Sequence, residues 1–304
     1  VFISSLLVGV GVGLFIILAY SLIMAVYEGE ERYTMLGFQS AVGTVGNALA
    51  SFVVGLLISS GWQVAFNVNW LFVIPLVLFG LFATKIDQFT NPVVTETGDT
   101  APIKAKETTN MAVVGYVLLI ATFFAFYFGL LLKLAGFLVE QHLGTAAVAA
   151  TQLSVMSLIG LLPSLLYGQI YKHLRRLTIP IGLIITGLGI GIIATAGTLT
   201  MTWIGIVISG FGLPIVMPAI FGKVAEVQPE GSSNLSSALM LVGINVAVFL
   251  SPQVLAVTTQ IIGQTSNKAT MLVSTVMLFV LGAIQLVMAT TKKQPIKNRS
   301  EMKS

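Results

Sequence analysis

Nine apolar stretches, each 20 residues or longer and separated by polar breaks, set the first limit on this chain. They cover residues 1–27, 34–60, 64–84, 111–139, 146–171, 179–199, 202–221, 235–262 and 269–290. About 20 residues of helix cross the roughly 30 Å hydrocarbon layer of a bilayer. Membrane β-strands would show instead as alternating segments of about ten residues, and no such pattern is present. Only 9 % of the 304 residues are charged, against about 25 % in a soluble domain that must cover its core with a charged skin. The expected fold is all-α, a polytopic transmembrane bundle of about nine helices.

Residues 85–110 form the one long polar break. They hold Asp87, Pro92, Glu96, Asp99, Pro102, Lys104, Lys106 and Glu107 among Thr and Gly, a composition that suits a solvated linker. The division expected from it is three helices over 1–84, a linker over 85–110, six helices over 111–291 and a basic tail over 292–304. Nine crossings that start outside put Arg32, Lys85, Lys104, Lys106, Lys172, Arg175, Arg176, Lys223, Lys292, Lys293, Lys297, Arg299 and Lys303 on the inner side. Only Lys133 and Lys268 then fall outside, a strong positive-inside asymmetry. The linker and C-terminus are expected in the cytoplasm, and the protein in a plasma membrane of bacterial type. The first residue is Val1 and no cleavable signal is visible, so a further segment upstream is expected.

Several classes are set aside at this stage. There is no cysteine, which excludes thiol chemistry and cysteine metal sites. His142 and His173 fall at opposite ends of the helices and cannot share a metal. No phosphate-cradling loop is present, and no acidic or His cluster in an apolar stretch offers catalysis. Enzyme activity, a cofactor, a metal and nucleic acid are therefore not expected. The expected partners are the lipid bilayer, a small-molecule solute and a coupling proton or other ion.

Candidate site residues come from polar or special groups inside apolar stretches. Asn47 and Asn245 fall roughly 18–20 Å into their helices at 1.5 Å per residue, a depth that transporter sites favour. An interhelical hydrogen bond worth about 0.6 kcal/mol is the plainer role for each. Gln152 is a candidate of the same kind, as are Gln253 and Gln285. Lys133 would cost about 2.5–3.5 kcal/mol at the bilayer centre; it reads either as an anchor snorkelling to the outer rim or as a charge lining a cavity. Tyr127, with Phe123, Phe124 and Phe126, faces a cavity, the core or lipid. Gly43, Gly46, Ala50 and Ser51 form a small-residue face suited to close helix packing. Pro214, Pro218, Pro163 and Pro252 interrupt helices as static bends or as hinges.

A weak internal repeat links two regions: Ser40-Ala41-x-x-x-Val45-Gly46 recurs as Ser237-Ala238-x-x-x-Val242-Gly243. Each copy follows acidic residues, Glu28, Glu30 and Glu31 in one case and Glu226 and Glu230 in the other. Both copies run from inside to outside, as a parallel repeat about the membrane normal requires.

With these residues in place the chain resembles the major facilitator superfamily. Gly9-Val-Gly11-Val-Gly13-Leu14 is similar to the glycine-rich stretch of the family's fourth helix. Glu31-Arg32, Leu36-Gly37, Gly43, Gly46, Gly55 and Gly61-Trp62-x-x-x-Phe66 are similar to its fifth helix and the turn beyond. Gly168-Gln-Ile-Tyr-Lys172-His-Leu-Arg175-Arg176 resembles the basic inner loop between the eighth and ninth helices. Pro214, Pro218, Gly243 and Pro252 fit the tenth and eleventh. The resemblance implies helices four to twelve of twelve, without the first three.

The chain departs from the pattern at three places. Ser5 stands where proton-coupled members carry a buried Arg. Asn47, Ala50 and Ser51 stand in place of the antiporter motif's Pro and glycine pair. The basic loop lacks the acidic residue and glycine of the full motif. The function implied is secondary active transport of a small organic solute, with proton-coupled drug or metabolite efflux as one form. The alternatives are a gradient-independent facilitator and a non-transporting membrane scaffold.

Overall fold

The computed structural model describes residues 2–58 and 107–291, with 73, 77 and 80 as isolated helical positions between them. The rest of the third apolar stretch, the linker up to residue 106 and the tail 292–304 lie outside the described residues. Among the described residues there are helices and no strands.

Helix α1 is Phe2–Val26 and α2 is Gly29–Ile58. The next described helices are α3 Met111–Glu140, α4 Ala146–Ile159, α5 Leu161–Leu165 and α6 Tyr167–Leu174. A 3-10 turn at Arg175–Leu177 leads to α7 Thr178–Ala194, α8 Leu199–Gly210 and α9 Gly212–Val227. The last two are α10 Ser233–Ile261 and α11 Asn267–Thr291. From Met111 onward the chain supplies six segments long and apolar enough to cross a membrane, and α1 and α2 precede them. The protein is an integral membrane protein.

Side-chain caps start several helices. Asn110 accepts from the Val113 N–H at 2.9 Å, and Thr198 from the Met201 N–H at 3.3 Å, satisfying donors a helix cannot pair internally. The residues just before α3 are strapped down: Glu107 Oε2 accepts the Leu235 N–H at 2.8 Å, and Asn110 Nδ2 donates to the Val227 carbonyl at 2.5 Å. These bonds fix the start of α3 to the junction of α9 and α10.

Proline explains the broken helices. Pro163 has no N–H for the Ile159 carbonyl, and its ring would clash there; Pro214 bears the same relation to Gly210. Accordingly α4 stops at Ile159 and α8 at Gly210, and each helix resumes after a single intervening residue. At the first break the Gly160 carbonyl accepts both the Ser164 N–H at 3.3 Å and Ser164 Oγ at 2.9 Å. Pro218 and Pro252, by contrast, sit inside α9 and α10, which run through them.

The segment Ala146–Leu165 with α6 makes one crossing antiparallel to α2. Glu30 pairs with Arg175 at 4.0 Å, Thr34 packs on Gly168, and a Cβ on Gly37 would stand 2.7 Å from the Ser164 carbonyl. The chain then reverses at Arg175, whose φ of 45° lies in the left-handed region. Between α7 and α8 the backbones themselves touch: a Cβ on Gly189 would be 2.5 Å from the Ser209 nitrogen and 2.7 Å from the Gly205 carbonyl. Such contacts hold membrane helices together where lipid is as apolar as protein.

Candidate functional site: a cavity between two helix groups

α2 carries Gln39, Ser40, Gly43 and Thr44 at helical positions that share a face. Across from it, α4 and α5 present Met156, Ser157, Gly160 and Ser164, again on one face. Between them lies a cavity of about 310 Å³, completed by Tyr20 of α1, Tyr127 of α3 and Gly210, Leu213, Pro214 and Met217 of α8 and α9. Both proline breaks open onto it. No charged side chain lines it among the described residues.

The lining offers hydrogen bonds and aromatic faces. Tyr20, Gln39 and Ser40 lie together in the lining, and Gln39 Oε1 is buried without a hydrogen-bond partner. Tyr127 is 5 % exposed, stacked on Phe123 at 5.5 Å between centroids. An unpaired amide oxygen is an acceptor that carries a desolvation cost until it finds a donor.

One end of the cavity is closed. Tyr20 stacks on Phe221 at 3.9 Å. Below it Tyr33, 1 % exposed, stacks on Tyr171 at 3.4 Å, and Gly222 faces the Tyr33 ring with no room for a Cβ. This end also bears Arg32, Lys172, Arg175 and Lys223, and is the basic end. Among the described residues, Gly43 and Gly46 have no atom within 4 Å of where a Cβ would stand.

The candidates from sequence scatter relative to this cavity. Tyr127, Gly43 and Pro214 line it. Gln152 is fully buried away from it, donating to Thr202 Oγ1 at 2.7 Å. Asn245 is exposed on α10 and donates to the Leu241 carbonyl of its own helix at 2.8 Å. Lys133 is half-buried near the non-basic end of α3, outside the lining. The Asn47 side chain lies outside the described residues. Gly46 faces open space, Pro218 is buried inside α9, and Pro252 is exposed inside α10. Lys172 and Arg175 are exposed at the basic end, and Arg176 is half-buried beside them.

Sequence reasoning missed Gln39, Ser157, Ser164 and Met217. The legible signal was spacing: Gln39-Ser40-x-x-Gly43-Thr44 and Ser157-x-x-Gly160-x-x-x-Ser164 each put polar or small groups on a single helix face.

The fold is shared with solved transporters. The human organic anion transporter MFSD10 (TETRAN) superposes with a TM-score of 0.65 at 12 % identity, over 89 % of this chain and 67 % of that one. The proton:xylose symporter XylE, bound to 6-bromo-6-deoxy-D-glucose, superposes with a TM-score of 0.68 at 15 % identity, over 92 % of this chain and 69 % of that one. At such identities the likeness is one of fold. No curated protein sequence matches the chain. The family model described as Major Facilitator Superfamily matches residues 1–252, most of the chain, and on that match the protein belongs to the Major Facilitator Superfamily.

Proposed function

We propose that this protein moves a small, uncharged organic solute across a membrane through the cavity between α2 and the α4–α5 and α8–α9 crossings, driven by an ion gradient. The observation that carries the proposal is the lining itself. Helices from both sides of the linker contribute hydroxyls, an amide and tyrosine rings, with no cation or carboxylate among the described lining residues. A lining of this kind binds through oriented hydrogen bonds and apolar contact. An organic anion, the solute named for MFSD10, would find no counter-charge there. A hydroxylated neutral solute such as xylose, named for XylE, suits the hydroxyls, the Gln39 amide and the aromatic faces. The basic end faces the cytoplasm, as the placement of Lys and Arg supports.

The test is uptake of labelled solutes into proteoliposomes, with neutral polyols, organic anions and organic cations compared under an imposed proton gradient. Neutral solutes should be preferred, and a protonophore should abolish their accumulation. Gln39→Leu should lower uptake by about tenfold, as the loss of a buried hydrogen bond to solute implies, while Asn245→Leu should leave it nearly unchanged. Uptake that ignores the gradient and runs only down the solute's own concentration would make the protein a facilitator. Preference for anions would overturn the reading of the lining.

A further inference from the structure

A carboxylate outside the cavity joins the two helix groups. Glu226, near the end of α9, accepts from the Tyr33 hydroxyl of α2 at Oε1, and the same oxygen is 3.4 Å from the Tyr171 hydroxyl of α6. Its other oxygen pairs with Lys223 Nζ at 2.7 Å. Tyr33 and Glu226 are 193 positions apart, so the bond spans the linker. Tyr33 is almost completely buried, and three features hold it in place: the stack on Tyr171, the bare face of Gly222 and Tyr167 at 6.4 Å. Tyr116 of α3 faces the same charges. Among the described residues, Tyr33, Tyr116, Tyr167, Tyr171 and Lys223 surround the carboxylate.

The cluster lies below the cavity, beyond the Tyr20–Phe221 stack, where α2 meets α6 and α9. A cavity that opens alternately to two sides must part these helices at one stage of each cycle. Packing of rings alone separates at little directional cost, but a charge-assisted O–H···O⁻ bond between the moving parts is short-ranged and strong. It breaks all at once when the helices part. Lys223 and Glu226 share α9, so their ion pair travels with that helix, and Tyr171 approaches from the same side of the linker. Of the bonds that described residues make to the carboxylate, the one from Tyr33 crosses the linker.

We propose that Tyr33 and Glu226 form a latch holding the basic end of the transporter closed, and that loss of the phenol–carboxylate bond shifts the protein toward the state open at that end. The proposal concerns which end is open and does not depend on the identity of the solute. Lys223 positions the carboxylate, and Gly222 leaves the space that Tyr33 needs.

The chain has no cysteine, so a single reporter can be introduced at Gly43, which borders the cavity with open space around it. Gly43→Cys is labelled with a membrane-impermeant thiol reagent in right-side-out and inside-out vesicles. With the latch intact, labelling should come mainly from the side opposite the basic end. Adding Tyr33→Phe or Glu226→Gln should raise the labelling rate from the basic end by about fivefold, the shift expected when one hydrogen bond to a charged group is lost. Labelling from the other side should fall in step. Tyr33→Phe keeps ring, stack and volume, so it carries the test if Glu226→Gln does not reach the membrane. Unchanged rates on both sides in the Tyr33→Phe protein would overturn the latch. A rise on both sides together would also overturn it, because that is loosening of the fold and not a change of which end is open. Solute transport need not be measured, so a wrong solute class would leave this result readable.

Discussion

A Cβ placed on Gly160 would stand 3.0 Å from Cγ of Pro214, so two proline-made helix breaks meet face to face beside the cavity. The Gly210 carbonyl lies 3.3 Å from the same point. Neither a pyrrolidine ring nor a backbone carbonyl can swing aside as a long side chain would. The crossing therefore tolerates glycine and little else, and it sets the width of the cavity wall.

Gly160→Val should accordingly push α5 and α9 apart and distort the lining. Transport should drop by about tenfold or more, of the order seen when positioning is lost by an ångström. The helical fold should persist, because the added methyls face a wall of the cavity. Solute uptake together with monodispersity on gel filtration checks both halves of the expectation; full activity would show that the breaks can slide freely.

The α7–α8 contact is backbone against backbone at Gly189 and Gly205. Gly189→Val should destabilise the protein by about 1–3 kcal/mol, the usual cost of overfilling a packed site. Gly43→Ala, where no atom lies within 4 Å, should be neutral or slightly stabilising, since alanine favours helix over glycine by up to about 1 kcal/mol. Thermal unfolding of the detergent-extracted variants should rank them in that order.

The placement of basic residues predicts that the linker and the tail share one side of the membrane with Arg32, Lys172 and Arg175. Single cysteines introduced at Thr97 and Ser300, both outside the described residues, should resist an impermeant thiol reagent added to intact cells and react once the membrane is permeabilised. Reaction of both in intact cells would invert the orientation.

The amino-acid sequence was enough to establish a membrane-spanning helical bundle, because apolar length against bilayer thickness is a local property that no tertiary contact can alter. It offered Pro163, Pro214, Pro218 and Pro252 alike as interruptions, and the helices break at the first two and run through the others. Even the reversal near Arg175 was marked by the basic run that ends the crossing.

Which polar residues meet was decided only in three dimensions. Asn245 and Gln39 look alike in sequence, each a polar side chain in an apolar helix. Yet one bonds back to its own helix at Leu241, and the other belongs to the cavity lining with its amide oxygen buried and unpaired. Rotation about the helix axis separates the two cases, and that rotation is set by which small residues let a neighbour approach. Gly37, Gly168 and Gly222 bring α2 against α6 and α9 at one end, and so place Tyr33 on Glu226. No spacing rule links residues 193 positions apart; only the packing of helices from both sides of the linker brings that phenol and that carboxylate together.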